Sequence, residues 1–297
     1  MNRLATLLCL LILLSSGRQA GAQELDTLGR IAETGTIRLG HRESSVPFSY
    51  HDGRHQVVGY SHELMLKVLE TVKAELKLPA LTIKLVPLTS QNRIPLIQNG
   101  TVDLECGSTT HNAERARQVG FSVSIFVVGT RLMTRQGSGI HGFDDLAGRR
   151  VVVTSGTTSE RLLRLFSERR GRDIEIVQAK EHSASFRLLE DGQADAFMLD
   201  DALLYGERAK AARPSDWVVV GAPMSSEVYG CMLRRGDTAF KRVVDLGLTR
   251  LMQSGEALKI HQRWFQRPIP PKGLNLNWPA SEDLLRLYRQ PDDQPRG

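Results

Sequence analysis

The chain has 297 residues, and its hydrophobic (41%) and charged (24%) fractions are those of a folded globular protein rather than a disordered one. The formal net charge is +6, yet basic residues are dispersed among acidic ones, and the densest basic cluster, residues 169–172, is flanked by Glu168 and Asp173. We therefore interpret the positive charge as a solvated surface and expect no nucleic-acid partner.

The first 22 residues have the layout of a secretory signal peptide. Arg3 gives a cationic start, residues 4–14 form an apolar run, and Ala20-Gly21-Ala22 supplies the small residues of a cleavage site. That run is too short to span a bilayer, and no later stretch reaches the ~18 apolar residues that a spanning helix needs. Cys9 lies inside the run without small residues just before it, which argues against a lipoprotein anchor. We expect an exported protein whose mature chain begins at residue 23.

Two cysteines, Cys106 and Cys231, remain once the signal peptide is removed. An even number of cysteines in an oxidising compartment is typical of a disulfide. The two lie in strand-like segments, residues 102–106 and 228–234, which we expect to be neighbours in one sheet. We predict a disulfide between them; the alternative is two buried free thiols.

Strand and helix signals alternate along the chain, which predicts an α/β protein with mostly parallel sheets. In the first half, apolar residues recur every fourth position from Leu64 to Leu76, which predicts a helix capped by Ser61. The other predicted elements of this half are strands at 36–40, 82–88 and 102–104 and a short helix at 94–98.

The second half contains another such set. Residues 143–148 predict a turn into a strand, and apolar residues from Phe240 to Leu251 lie on one face of a long helix. Proline-rich residues 268–271 predict an extended segment. The remaining predicted elements are strands at 150–153, 174–177, 196–199, 217–220 and 228–234, and helices at 158–168, 184–190 and 283–288.

Three segments at strand ends, residues 40–50, 89–95 and 105–115, combine small polar residues with an arginine. Ligands of open α/β sheets bind beyond the carboxyl ends of the strands. Arginine suits a carboxylate because its planar fork makes two parallel charged hydrogen bonds. Although a single arginine is usually a surface residue, three such segments together predict an anion site.

Two segments of the second half also contain candidate ligand groups. Thr157 and Glu160 have the spacing of a capping box, and a capped helix start beside Gly156 presents free backbone N–H groups to a carboxylate. Asp200 and Asp201 follow a predicted strand. Either they bind a substrate ammonium or they cap the next helix, and the sequence leaves both interpretations open.

These segments closely resemble the periplasmic glutamate/aspartate-binding proteins of amino-acid ABC transporters, which belong to solute-binding family 3 of the type II periplasmic binding protein superfamily. The resemblance spans nearly the whole mature chain. It implies a two-lobed α/β fold with a ligand cleft between the lobes and two crossing strands, near residues 128–130 and 221–228. Lobe 1 would comprise residues 23–128 and 228–297, and lobe 2 residues 129–227. The matching motifs are GHRESSVPFSY (40–50), TSQNRIPL (89–96), ECGSTT (105–110), FVVGTRL (126–132), VVVTSGTTSE (151–160), DDALL (200–204), YGCMLR (229–234) and PIPP (268–271).

The resemblance also implies which residues hold the α-carbon groups of the ligand. Arg115, with Ser108 and Thr110, would bind the α-carboxylate, and Asp200 would bind the α-ammonium. This agrees with charge counting, because a carboxylate requires donors and an ammonium requires an acid.

For the side-chain carboxylate, the resemblance implies Arg42, Ser90 and Arg93, with help from His182. Thr157 and Thr158 would contribute from the second lobe. His182 depends on the resemblance alone, because a single histidine in a sequence is usually structural.

The main alternative is a periplasmic enzyme on the same fold, resembling cyclohexadienyl dehydratase, with Glu43 or His182 as acid or base. Two further alternatives are the sensing half of a receptor and a metal protein; against the latter, His51 and His55 are separated by a predicted turn. We expect a monomeric, non-enzymatic periplasmic carrier without cofactor or metal. It would bind L-glutamate or L-aspartate and deliver it to an inner-membrane ABC permease.

Overall fold

The computed structural model describes residues 26–171 and 173–296. The predicted signal peptide, with Cys9, lies outside the described residues, as does Arg172 of the basic cluster. Among the residues described, every helix is too short or too polar to cross a membrane.

Helices and strands alternate along the described chain, as predicted. Two short 3-10 helices, at Phe143–Leu146 and Pro214–Asp216, accompany the regular elements. The helices are α1 (Thr27–Thr34), α2 (Tyr60–Leu76), α3 (Arg93–Gln98), α4 (Ala113–Ala116), α5 (Thr158–Arg170), α6 (His182–Glu190), α7 (Asp201–Lys210), α8 (Thr238–Gln253), α9 (Glu256–Phe265) and α10 (Glu282–Arg289). The strands are β1 (Thr36–His41), β2 (Ser44–Ser45), β3 (Ser49–His51), β4 (Val57–Val58), β5 (Thr82–Pro87), β6 (Leu104–Glu105), β7 (Gly120–Val128), β8 (Thr130–Arg135), β9 (Arg150–Thr154), β10 (Glu175–Ala179), β11 (Ala196–Asp200), β12 (Trp217–Val220) and β13 (Glu227–Leu233).

Two five-stranded sheets form the centres of two lobes. The first has the order β5-β1-β6-β13-β7, and the second has the order β10-β9-β11-β8-β12. The pairs at one edge of each sheet, β1/β5 and β9/β10, are parallel, and strands from the crossing region add antiparallel pairs. A small sheet, β2-β3-β4, follows β1. The predicted fold class is therefore confirmed.

The chain passes between the two sheets at two places. Strand β7 belongs to the first sheet and β8 to the second, with Gly129 alone between them, and the chain returns through residues 221–226 between β12 and β13. A Cβ atom at Gly129 would lie 2.6 Å from Cβ of Pro223. The two crossings thus touch, and only a glycine permits this approach.

Helix α2 shows how the periodicity of the sequence produces a packed face. Leu64, Val68 and Val72 recur every fourth residue, and all three are fully buried. The predicted cap is wrong: the N-cap is Gly59, two residues before Ser61, and the helix starts at Tyr60. The hydroxyl of Ser61 instead donates to the carbonyl of Gly107 at 2.8 Å and ties α2 to the loop after β6.

Helices α1 and α9 were not predicted. Both are short amphipathic elements: Ile31 of α1 is fully buried, and so are Ile260 and Phe265 of α9. Strand β5 is an edge strand, so its alternating Ile83 and Leu85 are 41% and 45% exposed rather than buried. The pattern of a strand does not tell which side of it is covered.

The C-terminal segment touches both lobes. The ring of Trp278 packs edge-on against Tyr205 of α7, with centroids 4.9 Å apart, and Lys272 Nζ donates to the Lys210 carbonyl at 2.6 Å. Helix α10 then returns to the first lobe, where the hydroxyls of Tyr288 and Tyr60 lie 2.5 Å apart.

The predicted disulfide is confirmed. Cys106 and Cys231 are bonded across a sequence separation of 125 residues. The bond lies beside the antiparallel pair of β6 and β13, in which Met232 faces Glu105. It therefore joins the two chain segments that build the centre of the first sheet.

Candidate functional site

The predicted ligand residues lie where strands end and helices begin, on facing walls of the two lobes. On lobe 1, Arg42 follows β1 and Ser90 follows β5, and residues 106–112 follow β6. On lobe 2, the wall consists of the start of α5, the start of α6 and the end of β11. Parallel strands bring their carboxyl ends to one edge, which explains this placement.

The two walls are in contact. Arg115 Nη2 donates to the carbonyl of Gly156 at 3.2 Å, and the hydroxyls of Thr110 and Thr158 are 3.4 Å apart. Nearly all predicted ligand side chains are buried in this cleft, and Thr157 is half-buried. The buried ones are Arg42, Ser90, Arg93, Ser108, Thr110, Arg115, Thr158, His182 and Asp200.

Three guanidinium groups lie close together in the cleft. Arg42, Arg93 and Arg115 are 0%, 2% and 8% exposed. Burial, followed by repulsion from Arg115 and Arg42, lowers the pKa of Arg93 to about 9. Such a concentration of buried positive charge is unfavourable unless acids or an anion compensate it.

Several donors on this cationic side find no hydrogen-bond partner within the described residues. They are Nε and Nη1 of Arg42, Nε of Arg93 and the hydroxyl of Ser90. A second nitrogen of Arg93, Nη1, is positioned by lobe 1, since it donates to the Ser108 carbonyl (3.1 Å) and to Thr109 Oγ1 (2.6 Å). The cleft therefore presents oriented, unsatisfied donors, which is what binding a carboxylate requires.

His182 faces the same cationic group from lobe 2. Its Nδ1 lies 2.9 Å from Thr154 Oγ1, whereas its Nε2 has no partner within the described residues. Burial, and then the charges of Arg42 and Arg93, holds the pKa of this imidazole well below its usual range. In the tautomer in which Nδ1 accepts from Thr154 Oγ1, the N–H of the neutral ring lies on Nε2, where it adds another donor.

The opposite side of the cleft is acidic. Asp200, at the end of β11, is 4% exposed, and Glu227, at the start of β13, is 1% exposed. Burial first, and then the charge of Glu227, raises the pKa of Asp200 to about 7. This side therefore suits a cationic group.

Of residues 200 and 201, only Asp201 bonds to backbone N–H groups at the start of α7. Asp201 Oδ1 accepts from the backbone N–H groups of Ala202 (2.8 Å) and Gly129 (3.3 Å). Asp200 makes no such bond at the start of α7. Asp201 thus stabilises the helix start, and the carboxyl of Asp200 is left to the cleft.

The predicted capping box of α5 is only half formed. Thr157 Oγ1 accepts from Glu160 N at 3.1 Å, but the carboxylate of Glu160 accepts from Gly156 N at 2.8 Å rather than from Thr157 N. The N–H of Gly156 is therefore already bonded. The expectation that backbone N–H groups at this helix start bind a ligand carboxylate stays a prediction.

Sequence reasoning missed two acids of the cleft. Glu181 accepts from Arg42 Nη2 and from the hydroxyl of Ser44, both at 3.0 Å, and so links the lobes. Glu227 accepts from hydroxyls of both lobes. Glu181 directly precedes the predicted ligand residue His182, and Glu227 lies two residues before the motif at 229–234. Glu227 also lies within the crossing segment predicted at residues 221–228.

The side chains of the alternative functions are placed differently. Glu43 is exposed. The rings of His51 and His55 have centroids 6.3 Å apart, and the residues between them form a turn. Among residues 26–171 and 173–296, no group of three or more His, Cys, Asp or Glu side chains is arranged to hold a metal ion.

A two-lobed α/β fold with a charged cleft at the lobe boundary defines a solute-binding protein of the periplasmic type. The sequence profile described as "Bacterial extracellular solute-binding proteins, family 3" matches residues 37–267, and the chain belongs to this family. The resemblance seen in the motifs is thereby confirmed.

Two curated relatives match almost the whole chain. It is 58% identical over 271 residues to the L-glutamate/L-aspartate-binding protein of Pseudomonas aeruginosa, covering 90% of this chain and 89% of the relative. It is 54% identical over 268 residues to the glutamate/aspartate import solute-binding protein of Escherichia coli, with the same two coverages.

Solved structures share the fold. A mutant of the arginine-binding protein of T. maritima superposes with a TM-score of 0.71 at 25% identity, covering 80% of this chain and 98% of that one. A histidine-bound substrate-binding protein from Streptococcus pneumoniae gives a TM-score of 0.73 at 19% identity, with coverages of 81% and 96%. The latter likeness concerns the fold alone.

Proposed function

We propose that this chain captures L-glutamate or L-aspartate in the periplasm, by closure of its lobes, and delivers it to an inner-membrane ABC permease. One observation carries the proposal: three buried arginines stand opposite two buried acids in a single cleft. A ligand with two carboxylates and one ammonium has the complementary charges. The names of the two relatives, at 58% and 54% identity, support the same ligand class.

Each charged group of the ligand binds to its own set of residues. Arg115 binds the α-carboxylate with help from Ser108, and Asp200 binds the α-ammonium. The side-chain carboxylate is bound by the free donors of Arg42, Ser90 and Arg93 and by Nε2 of His182. Thr157 and Thr158 complete the cleft from lobe 2, at the start of α5.

For closure, we assign residues 23–128 and 228–297 to one moving body and residues 129–227 to the other. Hinge closure around a ligand is the usual transition of periplasmic binding proteins. The touching crossings at Gly129 and Pro223 give the hinge. The protein acts as a monomer and without a cofactor.

Binding is favoured over the dehydratase alternative by the state of the residues that catalysis would need. Glu43 is exposed, and the low pKa of His182 keeps its ring in the neutral form at neutral pH, which makes it a poor general acid. General acid catalysis works best when the pKa of the acid lies near the working pH.

Calorimetry across the amino acids tests the proposal. The mature chain is unfolded, dialysed and refolded to remove bound ligand. Glutamate or aspartate is expected to bind with a Kd near ~1 μM, about −8 kcal/mol, and glutamine and arginine at least tenfold more weakly. Tighter binding of glutamine or of a basic amino acid would overturn the ligand class. Turnover of prephenate or arogenate would overturn the non-enzymatic assignment.

A further inference from the structure

Two carboxyl groups from different strands meet beside the hinge. Asp200 ends β11 of the second sheet, Glu227 begins β13 of the first, and both side chains are more than nine-tenths buried. The hydroxyl of Thr130 lies 3.3 Å from Asp200 Oδ1 and 3.2 Å from Glu227 Oε1. Since a hydroxyl has one proton, it can donate to only one of the two acids at a time.

The other hydrogen bonds to this pair also come from hydroxyl groups. Tyr229 Oη donates to Asp200 Oδ2, and Ser159 Oγ donates to Oδ1 at 3.4 Å. Ser225 Oγ donates to Glu227 Oε1 at 2.8 Å. Within the described part of the chain, neither acid forms a salt bridge with a Lys, Arg or His side chain. The pair therefore lacks the direct cation that usually accompanies buried carboxylates.

The charged groups around Asp200 act in opposite directions. Burial, Glu227 and the neighbouring Asp201 raise its pKa, whereas the hydrogen bond from Tyr229 and the charge of Arg115 lower it. The raising influences are larger, so the pKa of Asp200 lies near 7. At neutral pH in the absence of ligand, this carboxyl is protonated for part of the time.

We propose that Glu227 is a second acid of the ammonium subsite, and that the ligand ammonium replaces a proton held by Asp200. This inference rests on the proposed function. No bond between heavy atoms changes: the proton leaves the carboxyl group for solvent, and the ammonium, with three N–H donors, enters beside two carboxylates. One unit of positive charge is exchanged for another.

Glu227 also orients two hydroxyls of the predicted ligand set. Thr110 Oγ1 donates to its Oε2 at 2.6 Å and Thr158 Oγ1 donates at 3.0 Å. Because each hydroxyl has a single proton, these bonds leave only lone pairs for the ligand. Thr110 then accepts from the ammonium rather than donating to the α-carboxylate, which differs from the role that the family resemblance implied for it.

Buffer-dependent calorimetry on the mature chain tests the exchange. Glutamate is titrated at pH 7 in phosphate and in Tris, whose ionisation enthalpies differ. We expect release of about half a proton per ligand, because the pKa of the group lies near the working pH. We also expect Kd to rise up to about tenfold per unit of pH below 7, since the proton competes with the ligand. An anion bound beside His182 could only make its imidazole take up a proton, and this change is opposite in sign to the release expected from Asp200.

The variant Glu227→Gln keeps the size of the side chain and removes its charge. We expect weaker glutamate binding, less proton release at pH 7, and a pH profile displaced to lower pH. The control is Glu207→Gln, which removes a buried acid that is paired with Lys210 on α7, outside the cleft. The Glu207→Gln variant should retain the wild-type dependence of glutamate binding on pH.

Three results separate the hypotheses. Wild-type protein that binds no acidic amino acid contradicts the proposed function. Wild-type protein that binds glutamate with the same enthalpy in both buffers contradicts only the proton exchange, and this result needs no folded variant. A Glu227→Gln variant with wild-type proton release overturns the role of Glu227.

Discussion

Replacing Arg93 with methionine removes one cation from the cleft while keeping an unbranched side chain. Arg93 is 2% exposed, and its Nε has no partner within the described residues. We therefore expect this guanidinium to pair with the side-chain carboxylate of the ligand and to distinguish it from an amide.

The size of the effect follows from the burial of this group. Removing one partner of a buried charge pair costs about 2–5 kcal/mol. The lower half of this range applies, because removing Arg93 also removes its repulsion with Arg115 and Arg42, which after burial lowers the pKa of Arg93. A cost of about 3 kcal/mol weakens glutamate binding roughly a hundredfold. For glutamine the lost hydrogen bond joins the charged guanidinium to a neutral oxygen and costs about 1.5 kcal/mol, roughly tenfold.

Calorimetry with glutamate and glutamine measures both losses on the same variant. Arg38→Met is the matched control: it removes a lobe 1 arginine that is paired with Asp103 at 2.8 Å, away from the cleft. It should change neither affinity. Equal losses for glutamate and glutamine in Arg93→Met would refute the side-chain role, and so would an unchanged glutamate affinity.

Two further predictions concern closure and stability. A Cβ atom at Gly206 of α7 would lie 2.1 Å from the carbonyl oxygen of Val46 on lobe 1. Gly206→Ala should hence weaken ligand binding by about 1–3 kcal/mol through overpacking of the closed state, while the melting temperature of the ligand-free chain does not fall. Replacing both Cys106 and Cys231 with alanine should lower the free energy of unfolding, measured in urea, by up to about 5 kcal/mol, because the bond closes a loop across 125 residues.

Each of these has a control and a contrary outcome. Gly142→Ala, where the nearest atom to the new Cβ is 3.8 Å away, should leave binding unchanged. Full affinity in Gly206→Ala would mean that the lobes do not approach at this point. For the disulfide, a wild-type urea midpoint that is insensitive to reductant would contradict the expected contribution.

Local pattern determined much of the secondary structure. The four-residue period of α2 and the apolar face of α8 can be read from the sequence, because any helix formed there must bury its apolar side chains. The first residue of a helix was harder to predict. Ser61 is a residue type that often caps helices, yet its hydroxyl donates to the carbonyl of Gly107, 46 residues away. The helix already begins at Tyr60, so Ser61 lies inside its first turn rather than at the N-cap position.

The sequence by itself determined the α/β class, the pair of cysteines and, through its motifs, the candidate ligand residues. Only the tertiary structure decided that Glu227 accepts hydrogen bonds from the hydroxyl of Thr110, 117 residues earlier, and from that of Thr158, 69 residues earlier. It also decided that Glu181 reaches Arg42 across 139 residues. The charge and pKa of a buried acid depend on which distant groups packing brings to it, and no local pattern encodes that.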